Sequence, residues 1–291
     1  MNPLRAFRNL VVERMTASHL AGPQLSDAVN VYEEAAGRGW SCTFGYWSGP
    51  DDTPKTIGQA YMSAAHLIGE KSLECYLSVK LTAINFDFGF LLELLAVANE
   101  HGFRVHCDAM DPTSADPTFN LLERALANYR NLGCTLPGRW MRSAADAGRI
   151  AEWGIPVRVV KGQWPDPGLP NFSARAGYLD VVRRLAEKAT HVAVATHDRL
   201  LARKALQILT ENSTPCEMEQ LSSLPLNCAS LAASHRIPLR LYVPFGYPSM
   251  PYDIWQAHVR PQIVGWVLRD ALRGRHRQLP MQRMRTGVGQ G

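Results

Sequence analysis

The chain has 291 residues, of which 46% are hydrophobic and 20% are charged, and its formal net charge is +5. This length accommodates one large α/β barrel or two ordinary domains, and the apolar content is sufficient for a substantial core. No apolar run approaches the ~20 residues that cross a bilayer. The opening stretch MNPLRAFRNLVVERM is interrupted by charges and lacks the apolar region of a secretory leader. We therefore expect a soluble, cytoplasmic protein without a transmembrane segment.

The positive charge is concentrated near the end of the chain, in RGRHRQLPMQRMR. A basic terminus can contact nucleic acid or an anionic membrane, but a solvated, frayed terminus is the more common explanation. We therefore predict no nucleic-acid partner.

Six cysteines are scattered along the chain without a C-x-x-C or Cys/His spacing. Four of them lie within apolar runs, where cysteine behaves as a small hydrophobic residue. We expect buried thiols rather than disulfides or zinc ligands.

Short β-branched runs alternate with helical patterns from residue 41 onward. The predicted strands are 41–47, 76–81, 104–110, 131–136, 157–164, 191–198, 216–221 and 239–246. Several of the intervening helices are predicted to end at a glycine or asparagine, namely Gly102, Gly154 and Asn212. Two amphipathic segments before residue 41, FRNLVVERMTASHLAG and LSDAVNVYEEAAGRG, are predicted helices that cover the amino-terminal side.

Eight strands, each followed by a helix, indicate parallel pairing and predict a (β/α)8 TIM-type barrel. We expect a single domain with a helical extension at 1–38, the barrel at 39–275 and a basic, flexible tail at 276–291. An open doubly wound sheet is the alternative. It is disfavoured because no G-x-G-x-x-G follows the first strand.

In such a barrel, ligands bind at the carboxyl ends of the strands. Lys80 shares the parity of Tyr76 and Ser78, and Asp108 shares that of His106. Alternation therefore predicts that both side chains turn inward. Ionisable or polar residues occur there on strands 2, 3, 5, 6, 7 and 8: Lys80; His106 and Asp108; Arg158 and Lys161; Thr196, His197 and Asp198; Glu217 and Glu219; Arg240 and Tyr242. Any one of them has a structural explanation as half of an ion pair, and Arg240 pairing with a nearby glutamate is one example. Together they predict a polar pocket that accepts anions, because burying unpaired charge is costly.

The segments YLSVKLTA, VHCDAMD, VRVVKGQW, VAVATHD, CEMEQL and LRLYVPFG occur in the order and spacing of the proline dehydrogenase family. They resemble its S-V-K-L-S, D-A-E, R-x-V-K-G-A-Y-W, A-T-H-N, E-F-Q-x-L and R-x-Y-x-P-x-G segments. The resemblance covers roughly residues 70 to 275. It implies a flavin-binding barrel that oxidises L-proline to Δ1-pyrroline-5-carboxylate with FAD as the hydride acceptor.

By this resemblance, the strand 5 segment binds the cofactor, with Arg158 and Lys161 facing the flavin and its phosphates and Val160, Gly162, Gln163 and Trp164 beside them. Fixed cations favour the reduced flavin, which gains negative charge. Strand alternation alone places Arg158 and Lys161 on opposite faces of the sheet. Both can face the flavin only if the strand ends or bends between them.

The resemblance assigns the remaining site residues to two groups. Thr196 and His197 would hold the ribityl or adenosine part of FAD. Lys80 and Asp108 would line the substrate side, and Tyr242 would pack against the substrate ring.

The sequence departs from the family pattern at three places. Strand 4 ends in LPGRW, so Pro137 replaces a glutamine that contacts flavin. In the last predicted helix, WVLRDALRG, Arg269 keeps one arm of an arginine pair that binds the substrate carboxylate, but Asp270 replaces the other arm and Arg273 replaces a glutamate. The preceding loop, YPSMPYDIWQAHVRPQ, is longer than usual.

The sequence therefore predicts a divergent, FAD-dependent proline dehydrogenase-like enzyme acting on L-proline or a related cyclic or secondary amine. A quinone or another acceptor would reoxidise it. Two alternatives remain open. One is a metal-dependent barrel hydrolase or lyase using Asp108, His197, Glu217 and Glu219, and the other is a non-catalytic barrel that has lost its cofactor.

Overall fold

A computed structural model describes residues 20–247 of the chain, all within one compact unit. Eight parallel strands form a closed barrel in sequence order, and β8 pairs with β1 to close it. The strands are β1 (Ser41–Trp47), β2 (Cys75–Val79), β3 (Val105–Cys107), β4 (Leu132–Pro137), β5 (Val157–Val160), β6 (Val192–Ala195), β7 (Cys216–Leu221) and β8 (Leu239–Gly246). The predicted (β/α)8 barrel is confirmed, and the open-sheet alternative is wrong because the sheet has no edge.

Helices alternate with these strands. They are α1 (Leu25–Ala36), α2 (Pro54–Glu70), α3 (Phe88–His101), α4 (Ala115–Ala125), α5 (Ser143–Trp153), α6 (Ala174–Leu185), α7 (Arg199–Glu211) and α8 (Ala229–Ser234), with 3-10 turns at Leu81–Ile84 and Pro112–Ser114. Local chemistry sets several ends: the Asp198 carboxylate accepts from the backbone N–H of Leu201 at the start of α7. Gly102 and Gly154 end α3 and α5 in left-handed conformations, as predicted.

Helix α1 confirms the second of the two predicted amino-terminal helices. It packs on the outer wall of β8 and β1, with Tyr32 edge-on to Phe44, rather than across the amino-terminal end of the barrel. Backbone bonds from Ala21 to Pro244 and from Gly246 to Gly22 fasten the segment before α1 to β8. The first predicted helix, the loop and helix after residue 247 and the basic tail lie outside the described residues.

The apolar core lies between the strands and the surrounding helices, with side chains such as Leu77, Leu95 and Leu122 fully enclosed. As predicted, the cysteines are free thiols and five of the six are buried. Among residues 20–247, no helix combines the length and the apolarity that a bilayer crossing requires.

The interior of the barrel is polar, although (β/α)8 barrels are usually filled with branched apolar side chains. Alternation along the strands turns charged and polar residues inward: Tyr76, Ser78, His106, Thr135, Arg158, Glu217, Glu219, Arg240 and Tyr242. Their contacts fall into separate groups inside the barrel, and the candidate site is the group nearest the carboxyl ends of the strands.

Candidate active site

Arg158 of β5 lies at the centre of the site, only 4% exposed. Its Nε and Nη2 donate to the two oxygens of Glu219 on β7 at 2.7 and 2.8 Å. Its Nη1 donates to Asp108 Oδ1 at 2.7 Å and to Ser78 Oγ at 3.1 Å. Burial alone would lower the pKa of Arg158, but the charges of Glu219 and Asp108 outweigh burial and the net effect raises it. The guanidinium is therefore permanently charged, and four hydrogen bonds to Glu219, Asp108 and Ser78 hold it in place.

Asp108 follows β3 and connects Arg158 to the carboxyl end of the barrel. Its Oδ1 also accepts from Ser78 Oγ at 2.8 Å, and its Oδ2 accepts from the Tyr242 hydroxyl at 3.2 Å. Burial, followed by the charge of Asp108, raises the pKa of Tyr242 well above its usual value, so the phenol is a proton donor. A side chain on Gly45 would collide with the Tyr242 hydroxyl, so that glycine makes room for the tyrosine inside the barrel.

Lys80 is the cation at the end of β2, and its direction agrees with the predicted inward parity. Its Nζ donates to the carbonyl oxygen of Tyr46 at 2.9 Å, and within residues 20–247 it makes no ion pair. Burial lowers the pKa of Lys80, while the charge of Asp108 opposes this effect. A partly buried ammonium with this single acceptor among residues 20–247 is suited to attract an anion from the carboxyl end of the barrel.

The strand 5 segment bends where the predicted roles of Arg158 and Lys161 require it. Strand β5 ends at Val160, shorter than the predicted 157–164, and Gly162 has a φ of +85°. The turn after the strand frees Lys161 from strand alternation, and its Nζ lies 3.8 Å from Asp198 Oδ2 with 39% of the side chain exposed. The segment thus presents a cation beside the ends of β5 and β6.

The conformation of this turn is also fixed by β4. Arg139 Nε donates to the Gly162 carbonyl at 3.0 Å, and a Cβ on Gly162 would lie 2.8 Å from Pro137 Cβ. Trp164 accepts at its carbonyl from Trp140 Nε1 at 3.1 Å. The Trp164 and Gln163 side chains are partly buried. Pro137 therefore packs the turn where the family pattern has a hydrogen-bonding glutamine.

His197 is fully engaged within the protein. Its Nε2 accepts from the backbone N–H of Leu221 at 3.0 Å, so the proton lies on Nδ1, which is 3.1 Å from the carbonyl oxygen of Pro225. Burial lowers the pKa of His197 and keeps it neutral. The ring joins the loops after β6 and β7. Thr196 Oγ1 accepts from the backbone N–H of Asp198, so its own proton remains for a further acceptor.

Arg240 and Glu217 form a second ion pair, closer to the amino end of the barrel. Arg240 Nε lies 2.9 and 3.0 Å from the Glu217 oxygens, and the guanidinium stacks on the Tyr76 ring at 3.5 Å. The structural explanation considered for Arg240 is therefore confirmed.

The four candidate metal ligands do not converge. Asp108 and Glu219 bind Arg158, Glu217 binds Arg240, and His197 has its own partners. Residues 20–247 contain no group of three side chains placed to hold a metal. The geometry of these residues gives the metal-dependent alternative no support.

Reasoning from the sequence missed two features of the site: the contacts of Ser78, and the pairing of Glu219 with Arg158. A signal for the pairing lies on β6, where Ala193 and Ala195 face inward between the two charged strands. Small side chains on the intervening strand leave the space in which arginine and glutamate meet. Arg269, Asp270 and Arg273, the predicted substrate-carboxylate residues and their replacements, lie outside the described residues.

Beside the ends of β1 and β8 lies an open cavity of about 250 Å³, lined in part by Tyr46, Asp52 and Tyr247. The Tyr46 hydroxyl donates to Asp52 at 2.8 Å, and burial together with this bond raises the pKa of Tyr46 to about 12. Because the carbonyl of Tyr46 also accepts from Lys80, this cavity is adjacent to the site.

Comparison with known proteins supports the resemblance read from the motifs. No family model matches the chain. The chain is 22% identical over 270 residues to proline dehydrogenase 1 of Bacillus subtilis subsp. natto, covering 87% of this chain and 89% of the relative, and it matches proline dehydrogenase 1 of B. subtilis strain 168 with the same values. The chain is similar to proline dehydrogenases over most of its length. The predicted resemblance is confirmed.

Solved structures share the fold. Proline utilization A (PutA) from Bdellovibrio bacteriovorus, inactivated by N-propargylglycine, matches with a TM-score of 0.71 and 18% identity over 88% of this chain. A PutA variant from Bradyrhizobium japonicum matches with a TM-score of 0.63, also at 18% identity and 88% coverage. This chain spans 32% and 30% of the lengths of those two proteins.

Proposed function

We propose that the chain is a flavin-dependent oxidoreductase of the proline dehydrogenase type. It would oxidise L-proline, or a related cyclic or secondary amine, to the imine, which for proline is Δ1-pyrroline-5-carboxylate. The observation that carries the proposal is the contact network of Asp108, Arg158 and Tyr242, with Lys80 at the same end of the barrel. The similarity to proline dehydrogenases over most of the chain supports it.

The donors at the ends of the strands fit FAD in part. Lys161 and Lys80 supply positive charge, which suits a diphosphate and a reduced flavin, and Thr196 retains a hydroxyl proton for an acceptor. Arg158 fits less well because its Nε, Nη1 and Nη2 already donate within the protein. His197 also fits less well because both of its ring nitrogens have partners within the protein. Bound FAD would supply the hydride acceptor.

The protein's own contribution is positioning. Asp108 is fixed by Ser78 and Arg158 on one oxygen and by Tyr242 on the other, so it presents a rigid negative group to an amine. The Tyr242 hydroxyl stays protonated and donates, and Lys80 provides the charge that attracts a substrate carboxylate. Alignment of this kind lowers the entropic part of the barrier without a covalent nucleophile.

The test is a visible absorption spectrum of the protein as purified and after incubation with FAD, followed by anaerobic addition of L-proline and then of a panel of cyclic amines. We expect flavin bands that bleach with at least one of these amines. Bands that persist with every amine would refute the catalytic proposal, and no bands after incubation with FAD would refute the flavin assignment and favour a non-catalytic barrel.

A variant pair localises the activity. Lys80→Gln should retain the flavin bands but slow their bleaching at least tenfold, because the ammonium that attracts the substrate carboxylate is gone. Lys188→Gln, at an exposed lysine after α6, is the matched control and should behave as the parent does. Equal rates for the two variants would remove Lys80 from the proposed site.

The acceptor and the compartment belong to the same proposal. We infer a quinone or another oxidant as the acceptor and a cytoplasmic protein. Mixing anaerobically reduced protein with a soluble quinone should restore the flavin bands. If none of the quinones tried restores them, a quinone is not the acceptor.

A further inference from the structure

Two glutamates on β7 each bind an arginine, but only one of these pairs reaches the proposed site. Glu217 pairs with Arg240 near the amino end. Glu219, two residues later and 2% exposed, pairs with Arg158, which in turn contacts Asp108. The same residue type on the same strand therefore occupies two different positions relative to the site.

Stability alone does not account for the Glu219–Arg158 pair. Withdrawing two charges from water is costly, and apolar replacements for buried ion pairs are often as stable or more stable. A role in arranging the site is the better explanation because the pair fixes one member of the network described above.

The contact geometry shows how Glu219 acts on Asp108. A guanidinium is a planar fork, so fixing Nε and Nη2 on the Glu219 carboxylate also fixes the direction of Nη1. That third nitrogen donates to Asp108 and to Ser78. If Glu219 released Arg158, the guanidinium would be free to rotate, and Asp108 would lose one of the partners that orient it.

Glu219 also balances the charge of the site. In the part of the site around Arg158, Lys80 and Arg158 contribute two positive charges, and Asp108 and Glu219 contribute two negative charges. Lys161 lies outside this part and faces Asp198 at 3.8 Å. Removing the charge of Glu219 leaves an excess of one positive charge in a region largely shielded from water, where electrostatic interactions are strong.

We propose that Glu219 is a positioning residue of the active site, which holds Arg158 towards Asp108 and sets the net charge that a bound redox cofactor experiences. This inference rests on the proposed function. It adds a residue that makes no direct contact with substrate or cofactor and acts through Arg158.

The first experiment measures the two-electron midpoint potential of bound flavin in three variants. Glu219→Gln should favour the reduced flavin about tenfold, a rise of about 30 mV for a two-electron couple, because the site gains positive charge. Glu219→Asp keeps the charge and should stay close to the parent. Glu217→Gln, the matched control, should leave the potential unchanged. An unchanged potential in Glu219→Gln, or an equal rise in Glu217→Gln, would overturn the proposal.

A second experiment needs no flavin and separates this proposal from the proposed function. A double-mutant cycle in urea unfolding combines Asp108→Asn with Glu219→Gln, and a parallel cycle combines it with Glu217→Gln. We expect coupling in the first cycle, because both residues act on Arg158, and additivity in the second. If the parent binds no flavin, the proposed function fails, while coupling would still support the positioning role. Additivity in both cycles would refute that role.

Discussion

Replacing Glu217 with glutamine should destabilise the protein by about 3.5 kcal/mol at pH 7 and by almost nothing near pH 2. Burial alone would raise the pKa of Glu217, but contacts with His191 and Arg240 lower it from 4.5 to about 2. The pKa difference of about 2.5 units, at roughly 1.4 kcal/mol per unit, gives this magnitude. Because Glu217 is only 4% exposed, solvent screens its charge little.

The sign of the pH dependence follows from the direction of this shift. A carboxyl whose pKa is lowered on folding contributes its stability above the unfolded pKa, near 4.5, and loses it as the pH falls towards 2. A protonated glutamate and a glutamine are both neutral and nearly the same shape. The parent and the variant should therefore converge in acid.

Urea unfolding monitored by circular dichroism between pH 7 and pH 2.5 measures this difference. Glu152→Gln, at an exposed position on α5, is the control and should stay within about 0.5 kcal/mol of the parent throughout. A difference for Glu217→Gln that does not change with pH would refute the reasoning, since the loss would then not arise from the ionised carboxylate.

Three further predictions concern stability. Arg158→Met should destabilise the protein by about 3–5 kcal/mol because it strands buried carboxylates, and adding Glu219→Leu should recover part of the loss in urea unfolding; no recovery would contradict the pairing. Gly162→Ala should lower stability by about 1–2 kcal/mol because of its positive φ, whereas Gly148→Ala, inside α5 with open space around it, should raise it by about 0.5–1 kcal/mol; equal effects in thermal unfolding would contradict this. Burial lowers the pKa of His197, so its contribution to stability is present above about pH 6.5 and falls as the pH drops. The free energy of unfolding should therefore fall less between pH 7 and pH 5 in His197→Gln than in the parent. An equal fall in the two proteins would contradict this.

The sequence predicted the elements well and the ends of some strands poorly. The bounds of β1, β7 and β8 agree with the predicted 41–47, 216–221 and 239–246. Strands β5 and β6 end earlier than predicted because Gly162 turns the chain at one end and Asp198 caps α7 at the other. The hydrophobic and β-branched residues typical of a strand continue past these points. The backbone there no longer continues the ladder of backbone hydrogen bonds with the neighbouring strands, so the sequence pattern overestimates the length of both strands.

Alternation along a strand predicts which face a residue occupies but not which partner it meets. It correctly turned Lys80 and Asp108 inward. The partner of Arg158 is 61 positions away, on a strand that is not its neighbour, and their meeting depends on the stagger of the closed barrel and on the alanines of β6. No spacing rule in a single sequence contains that stagger.

The two ion pairs divide the barrel interior into parts with different roles. In the Arg240–Glu217 pair, the guanidinium also stacks on Tyr76 and donates to the backbone carbonyl of Cys42. These contacts join neighbouring strands from inside the barrel. The Arg158–Glu219 pair instead extends through Asp108 to Tyr242 at the carboxyl end. Because only this second pair reaches groups that a ligand could contact, changes there should alter both stability and chemistry, while changes at the first pair should alter stability alone.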